Sequence, residues 1–73
     1  MTVSEIREQL LHTDSEFQKL VEEHFRHSQQ LNELTRSFTL SAEDLSLEVE
    51  LKKAKLRLKD EMEKRVALFR RAS

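Results

Sequence analysis

The sequence predicts an all-α protein, an antiparallel two-helix hairpin of coiled-coil character with a short N-terminal helix. The 73 residues include no Gly, Pro or Cys, and 37% are charged, a composition typical of helical bundles and coiled coils. Apolar residues recur at helical spacing along two long segments. The pattern Ser/Thr-x-x-Asp/Glu, which caps the first turn of a helix, begins at Thr2, Thr13 and Ser41, in front of three predicted helices.

The first predicted helix covers residues 3–11. Val3, Ile6 and Leu10 share one of its faces, as their spacing places them about one turn apart. A helix this short is not stable alone in water. We therefore expect it to lie on another part of the single domain that residues 1–73 form, and the connectivity places it near residues 62–69.

The second predicted helix covers residues 14–36. On a wheel of about 100° per residue, apolar residues occupy about half of the circle and charged residues the other half. The predicted buried half consists of Phe17, Leu20, Val21, His24, Phe25, His27, Ser28, Leu31, Leu34 and Thr35. Such a one-sided helix needs a partner along most of its length.

The helical pattern breaks at residues 37–41, where three hydroxyl side chains in five residues can bond to the backbone. This segment is the predicted turn of the hairpin. Because no Gly marks a helix stop here, one long unbroken helix is the alternative. We expect Phe38 and Leu40 to cover the end of the core rather than to lie in solvent.

The third predicted helix covers residues 42–71. Acidic residues open it and basic residues close it, an order that suits the helix dipole. Its main apolar stripe, which should meet the second helix, consists of Leu47, Leu51, Ala54, Leu58, Met62, Val66 and Phe69.

Three further apolar residues of this helix, Leu45, Val49 and Leu56, lie about 140° from the main stripe. A hairpin would leave them in water. Because a chain of this size rarely builds a sufficient core alone, we expect a second molecule to cover them, as a homo-oligomer or as a helical protein partner. The alternative is singly exposed apolar residues, which are common on any surface.

His24 and His27 lie on one face of the second helix. A zinc site needs at least one further ligand, and the sequence has no Cys. Two packed histidines that hydrogen-bond at a helix interface are the simpler interpretation, and we expect no metal and no cofactor. Acidification should loosen such an interface, since a charged imidazole is poorly accommodated there.

The third helix also carries a basic segment, which is the basis of an alternative function, binding of nucleic acid or of a membrane surface. Its cations are Lys52, Lys53, Lys55, Arg57 and Lys59. No aromatic residue interleaves them for base stacking. Acids four residues away, in the pairs Glu48–Lys52, Lys59–Glu63 and Asp60–Lys64, predict a solvated, salt-bridged surface instead.

The sequence contains no nucleophile with an oriented base, no phosphate-binding loop and no paired acid–base site. It also has no apolar run of membrane-spanning length and no signal-peptide core. The prediction is therefore a non-enzymatic, cytoplasmic structural or protein-interaction module that acts through helix–helix packing.

Residues 51–62, Leu-Lys-Lys-Ala-Lys-Leu-Arg-Leu-Lys-Asp-Glu-Met, resemble the signature block of the YdcH-like family of small bacterial proteins. An earlier segment is similar to that family's Phe-x-x-Leu-Phe-x-x-His pattern. It consists of Phe17, Leu20, Val21 and His24, followed by Leu31. The resemblance spans residues 5–66 and implies an antiparallel helical hairpin in a bacterial, cytoplasmic protein, without a defined activity.

Overall fold

The computed structural model describes residues 1–36 and 39–72, and within those residues the protein contains helices and no strand. Helix α1 covers Val3–Thr13, α2 covers Ser15–Thr35 and α3 covers Ala42–Ala72. The prediction of an all-α protein with three helices is confirmed. The helix ends differ from the predicted ends by at most two residues.

The break between α2 and α3 is confirmed, and the alternative of one unbroken helix is wrong. α2 ends at Thr35, whose hydroxyl donates to the Leu31 carbonyl at 2.9 Å, so a side chain competes for the last turn. α2 and α3 then make the most extensive contact in the fold. Leu40 is partly buried. Phe38 lies outside the described residues, and its predicted place at the end of the core stays a prediction.

Two of the three predicted helix caps are confirmed as reciprocal pairs. At α1 the Glu5 N–H donates to the Thr2 hydroxyl at 3.2 Å and the Thr2 N–H donates to the Glu5 carboxylate at 3.1 Å. At α3 the Asp44 N–H donates to the Ser41 hydroxyl at 3.1 Å, and the Ser41 N–H donates to the Asp44 carboxylate at 3.1 Å. The Thr2 N–H and hydroxyl hold the pKa of Glu5 below its ordinary value.

The predicted cap at Thr13 is wrong, because Asp14 caps α2 instead. The Asp14 carboxylate accepts the N–H of Glu16 at 3.0 Å and that of Phe17 at 3.2 Å. α1 extends two residues further than predicted, so Thr13 is its last residue and donates its hydroxyl to the Gln9 carbonyl at 2.9 Å. A carboxylate also suits the positive end of the helix dipole better than a hydroxyl does.

The main core lies where all three helices meet. α1 contributes Ile6 and Leu10, α2 contributes Phe17, and α3 contributes Met62 and Val66. The side chain of Phe17 is completely buried. The prediction that α1 lies on residues 62–69 is therefore confirmed.

One ion pair joins the beginning of α2 to the last part of α3. The Arg65 guanidinium donates to the Asp14 carboxylate at 2.9 Å, across 51 residues of sequence. Partial burial acts to raise the pKa of Asp14, but the N–H of Phe17 and the Arg65 guanidinium together hold it below its ordinary value. The carboxylate that caps α2 thus also fixes the position of α3.

Four residues predicted to be buried are exposed: Thr35 at the end of α2 and three apolar residues that are about half exposed or more. Phe25 is 61% exposed, because it lies about 80° from Phe17, at the edge of the predicted face. Leu47 keeps half of its surface in solvent. α2 ends one residue after Leu34, its last apolar residue, so it offers no further apolar side chain to cover Leu47. Val3 lies at the free end of α1 and is also half exposed.

Replacing Phe17 by Ala should cost about 3–5 kcal/mol, because the lost side chain leaves a cavity between three helices. For a domain of this size that loss is a large fraction of the free energy of unfolding. Phe25→Ala removes the same group from an exposed site and should change stability by less than about 0.5 kcal/mol. Urea denaturation followed by circular dichroism measures both variants. Equal effects would contradict the described core.

Asp14→Ala should lower the melting temperature by about 5 °C, since it removes both the cap and the partner of Arg65. Asp14→Asn keeps a capping side chain but not its charge, and should lose less. Thr13→Ala is the matched control and should melt close to the wild type. A larger loss for Thr13→Ala than for Asp14→Ala would restore the capping pattern predicted from the sequence.

Candidate functional site

The three apolar residues predicted as an interaction face are all exposed along one side of α3. Leu45 is 51%, Val49 49% and Leu56 60% exposed. They lie within about 40° of one another on the helix wheel and extend over about 16 Å of the helix. We call these three residues the outer face. Neither α1 nor α2 buries them, and their role as a contact surface stays a prediction.

The charged residues near the outer face are paired only in part. Lys52 bonds to Glu48 at 2.9 Å, as predicted. Lys64 pairs with Glu61 at 3.2 Å and not with Asp60, because residues three and four apart are both neighbours on a helix. Asp60 is exposed and has no ion-pair partner within residues 1–36 and 39–72.

The predicted pair between Lys59 and Glu63 is not formed. Both side chains line a groove between α1 and α3 with a volume of about 480 Å³. The apolar lining consists of Val3, Met62, Val66 and Ala67. The other charged residues at the groove are Arg7 and Arg70. The groove was not predicted, since it depends on where α1 lies against α3.

The groove and the outer face adjoin on α3. Ala67, in the wall of the groove, points in about the same direction from the helix axis as Val49 of the outer face, because eighteen residues make five turns. A helix that packed along the outer face would therefore also reach the groove and the edge of α1. The two features form one extended surface.

Cations from two helices surround His24 of α2. The imidazole is partly buried. Burial, together with Lys55, Arg7, His27 and Lys59, holds the pKa of His24 below its ordinary value. The neutral form is therefore favoured in the folded protein.

The predicted hydrogen bonds of the two histidines are absent in the described part of the chain. His27 Nδ1 is buried and has no hydrogen-bond partner there. His24 likewise has no hydrogen bond to another of the described residues. Within the same residues no three His, Cys, Asp or Glu side chains come together as metal ligands.

The five basic residues of the alternative function have different surroundings. Lys52 is paired with Glu48, Lys55 is partly buried beside His24, and Lys59 lines the groove. Lys53 and Arg57 are exposed on other sides of α3. No observation favours a single basic surface, and binding of nucleic acid or membrane stays a prediction.

No helix in residues 1–36 and 39–72 has the length and apolar character needed to cross a membrane. Searches with protein-family models, against curated proteins and against solved structures found no match to this chain. The resemblance to the YdcH-like family therefore rests on the residues of this sequence alone, and it stays a prediction.

Acidification should destabilise the fold through His24. Because its folded pKa is depressed, its contribution to stability is complete above the unfolded pKa and is lost as the pH falls through the folded pKa. The melting temperature should fall between about pH 7 and pH 5. His24→Gln should reduce that fall, while His12→Gln, at an exposed site near the end of α1, should retain it. The same slope in His24→Gln as in the wild type would exclude His24 as the cause.

Proposed function

We propose that this protein is a non-enzymatic structural module that acts by helix–helix association, first of all with another copy of itself. The observation that carries the proposal is the outer face. α3 is apolar on two sides, and only one of them is covered within the chain, where Leu51, Met62 and Val66 are buried. Covering the second apolar side with a neighbouring helix would remove that surface from water, which is favourable.

The proposal includes an antiparallel hairpin of α2 and α3, supported by one ion pair and by the electrostatic neighbours of His24. Asp14, which caps α2, bonds to Arg65 near the end of α3. Further along α2, His24 lies near Lys55 and Lys59. Later residues of α2 thus lie near earlier residues of α3, as they do in an antiparallel pair. In this arrangement the turn is at the end of the molecule opposite to the main core.

A structural role fits the chemistry of the exposed surface better than catalysis does. The outer face is apolar, and the adjoining groove carries no nucleophile and a single acid, Glu63, in its lining. The resemblance to the YdcH-like family supports the same proposal, and with it a bacterial, cytoplasmic protein. It defines no activity that would compete with the structural role.

The outer face alone gives only modest affinity. Burying the exposed half of Leu45, Val49 and Leu56 is worth about 1 kcal/mol per side chain, or about 6 kcal/mol for two copies. Association costs at least about 4 kcal/mol in lost translational and rotational freedom. Stable association therefore needs further contacts, which the groove and the neighbouring charges can provide.

Val49→Glu should abolish association while the helices remain intact. The new carboxylate lies in the centre of the outer face and gains Lys52 and Lys53 as helical neighbours, so folding is not penalised. Leu68→Glu is the control, because Leu68 is also an exposed apolar residue of α3 but lies about 120° from the outer face. Sedimentation over a concentration range measures assembly, and circular dichroism measures helix content. The same assembly in both variants would remove the outer face from the proposal.

A further inference from the structure

We propose that two copies pair through α3 in antiparallel order, with Leu56 of each copy meeting at the two-fold axis. The inference rests on the proposed function, that is, on association through the outer face. It adds the order of the two helices and the residues that meet. Charges beside the outer face and the position of the groove carry the argument.

Lys53 and Asp60 determine the order of the two helices. They lie three residues before and four residues after Leu56, on the same edge of the outer face. Both are exposed and neither has an ion-pair partner within residues 1–36 and 39–72. Antiparallel pairing about Leu56 places Lys53 of each copy beside Asp60 of the other. Parallel pairing about a two-fold axis would place Lys53 of one copy and Asp60 of the other on opposite edges of the contact, so neither ion pair would form.

The helix dipoles favour the same order. Antiparallel pairing opposes the dipoles of the two α3 helices, whereas parallel pairing would align them.

The groove of each copy receives Leu45, the outer-face residue farthest from Leu56, of the other copy. Leu45 precedes Leu56 by eleven residues, and Ala67 follows Leu56 by eleven. Antiparallel pairing therefore places Leu45 opposite the partner's Ala67, which lines the groove between α1 and α3. The contact between residues 45 and 67 extends over about 33 Å. One arrangement thus covers the outer face and fills the groove of both copies.

Cysteine cross-linking tests the arrangement, because the chain has no native Cys. Leu56→Cys should form disulfide dimers under mild oxidation, since a residue on a two-fold axis meets its own copy. Leu45→Cys alone should stay uncross-linked, whereas its mixture with Ala67→Cys should cross-link. Leu68→Cys, on another side of α3, is the control that should not cross-link.

The outcomes separate this inference from the proposed function. Self-cross-linking of Leu45→Cys would mean parallel pairing and would overturn the inference. Absence of a Leu56→Cys disulfide, in a protein whose assembly Val49→Glu abolishes, would overturn the pairing order and leave the outer face as the contact. A wild type that is monomeric at every concentration would overturn self-pairing, and the proposed function would then need a different helical partner.

Charge reversal gives an independent test of the two ion pairs. Lys53→Glu and Asp60→Lys should each raise the dimer dissociation constant by about tenfold, because each change turns two attractive contacts into repulsive ones. The double variant should restore wild-type dimerisation. Glu61→Lys makes the same charge change as Asp60→Lys but points away from the partner, and should have little effect. A double variant as weak as the single variants would contradict the pairing.

Discussion

The fold depends on burying Phe17 between three helices at one end of the molecule. α1 is too short to be stable alone in water, and it is held because Ile6 and Leu10 pack on Phe17 together with side chains of α3. The bond between Asp14 and Arg65 lies beside this cluster and links the same elements. Since the sequence contains no Cys, this apolar contact and this ion pair take the place of a covalent cross-link.

The three helices differ in length, and that difference creates the exposed surface. α1 has 11 residues, α2 has 21 and α3 has 31, or about 17, 32 and 47 Å at 1.5 Å per residue. α1 can therefore cover only one end of α3. Leu45 and Leu56 lie beyond its reach, and they keep half of their surface or more in solvent. The outer face is thus a consequence of a short helix packed on a long one.

Local patterns predicted the helices, because capping and apolar periodicity act within a few residues. The same patterns failed where tertiary packing decided the outcome. Thr13 and Asp14 can each cap α2, and Asp14 does so because α1 continues through Thr13. The bond from Arg65 to Asp14 crosses 51 residues and has no local signal. Phe25 is exposed although it is apolar, because it lies at the edge of the predicted face, where how far a neighbouring helix reaches decides burial.

The charges of α3 divide into those that the chain satisfies itself and those that it leaves unpaired. Lys52 and Lys64 each bond to a glutamate of their own helix. Lys53 and Asp60 lie beside the outer face and have no such partner among the described residues. Each has an oppositely charged residue three or four positions away on α3, so the helix itself would allow such a pair. An isologous interface uses the same patch on both subunits. A basic residue that precedes the two-fold axis along one helix can therefore pair with an acidic residue that follows the axis along the partner helix. Unpaired charges of opposite sign on either side of Leu56 are what such an interface requires.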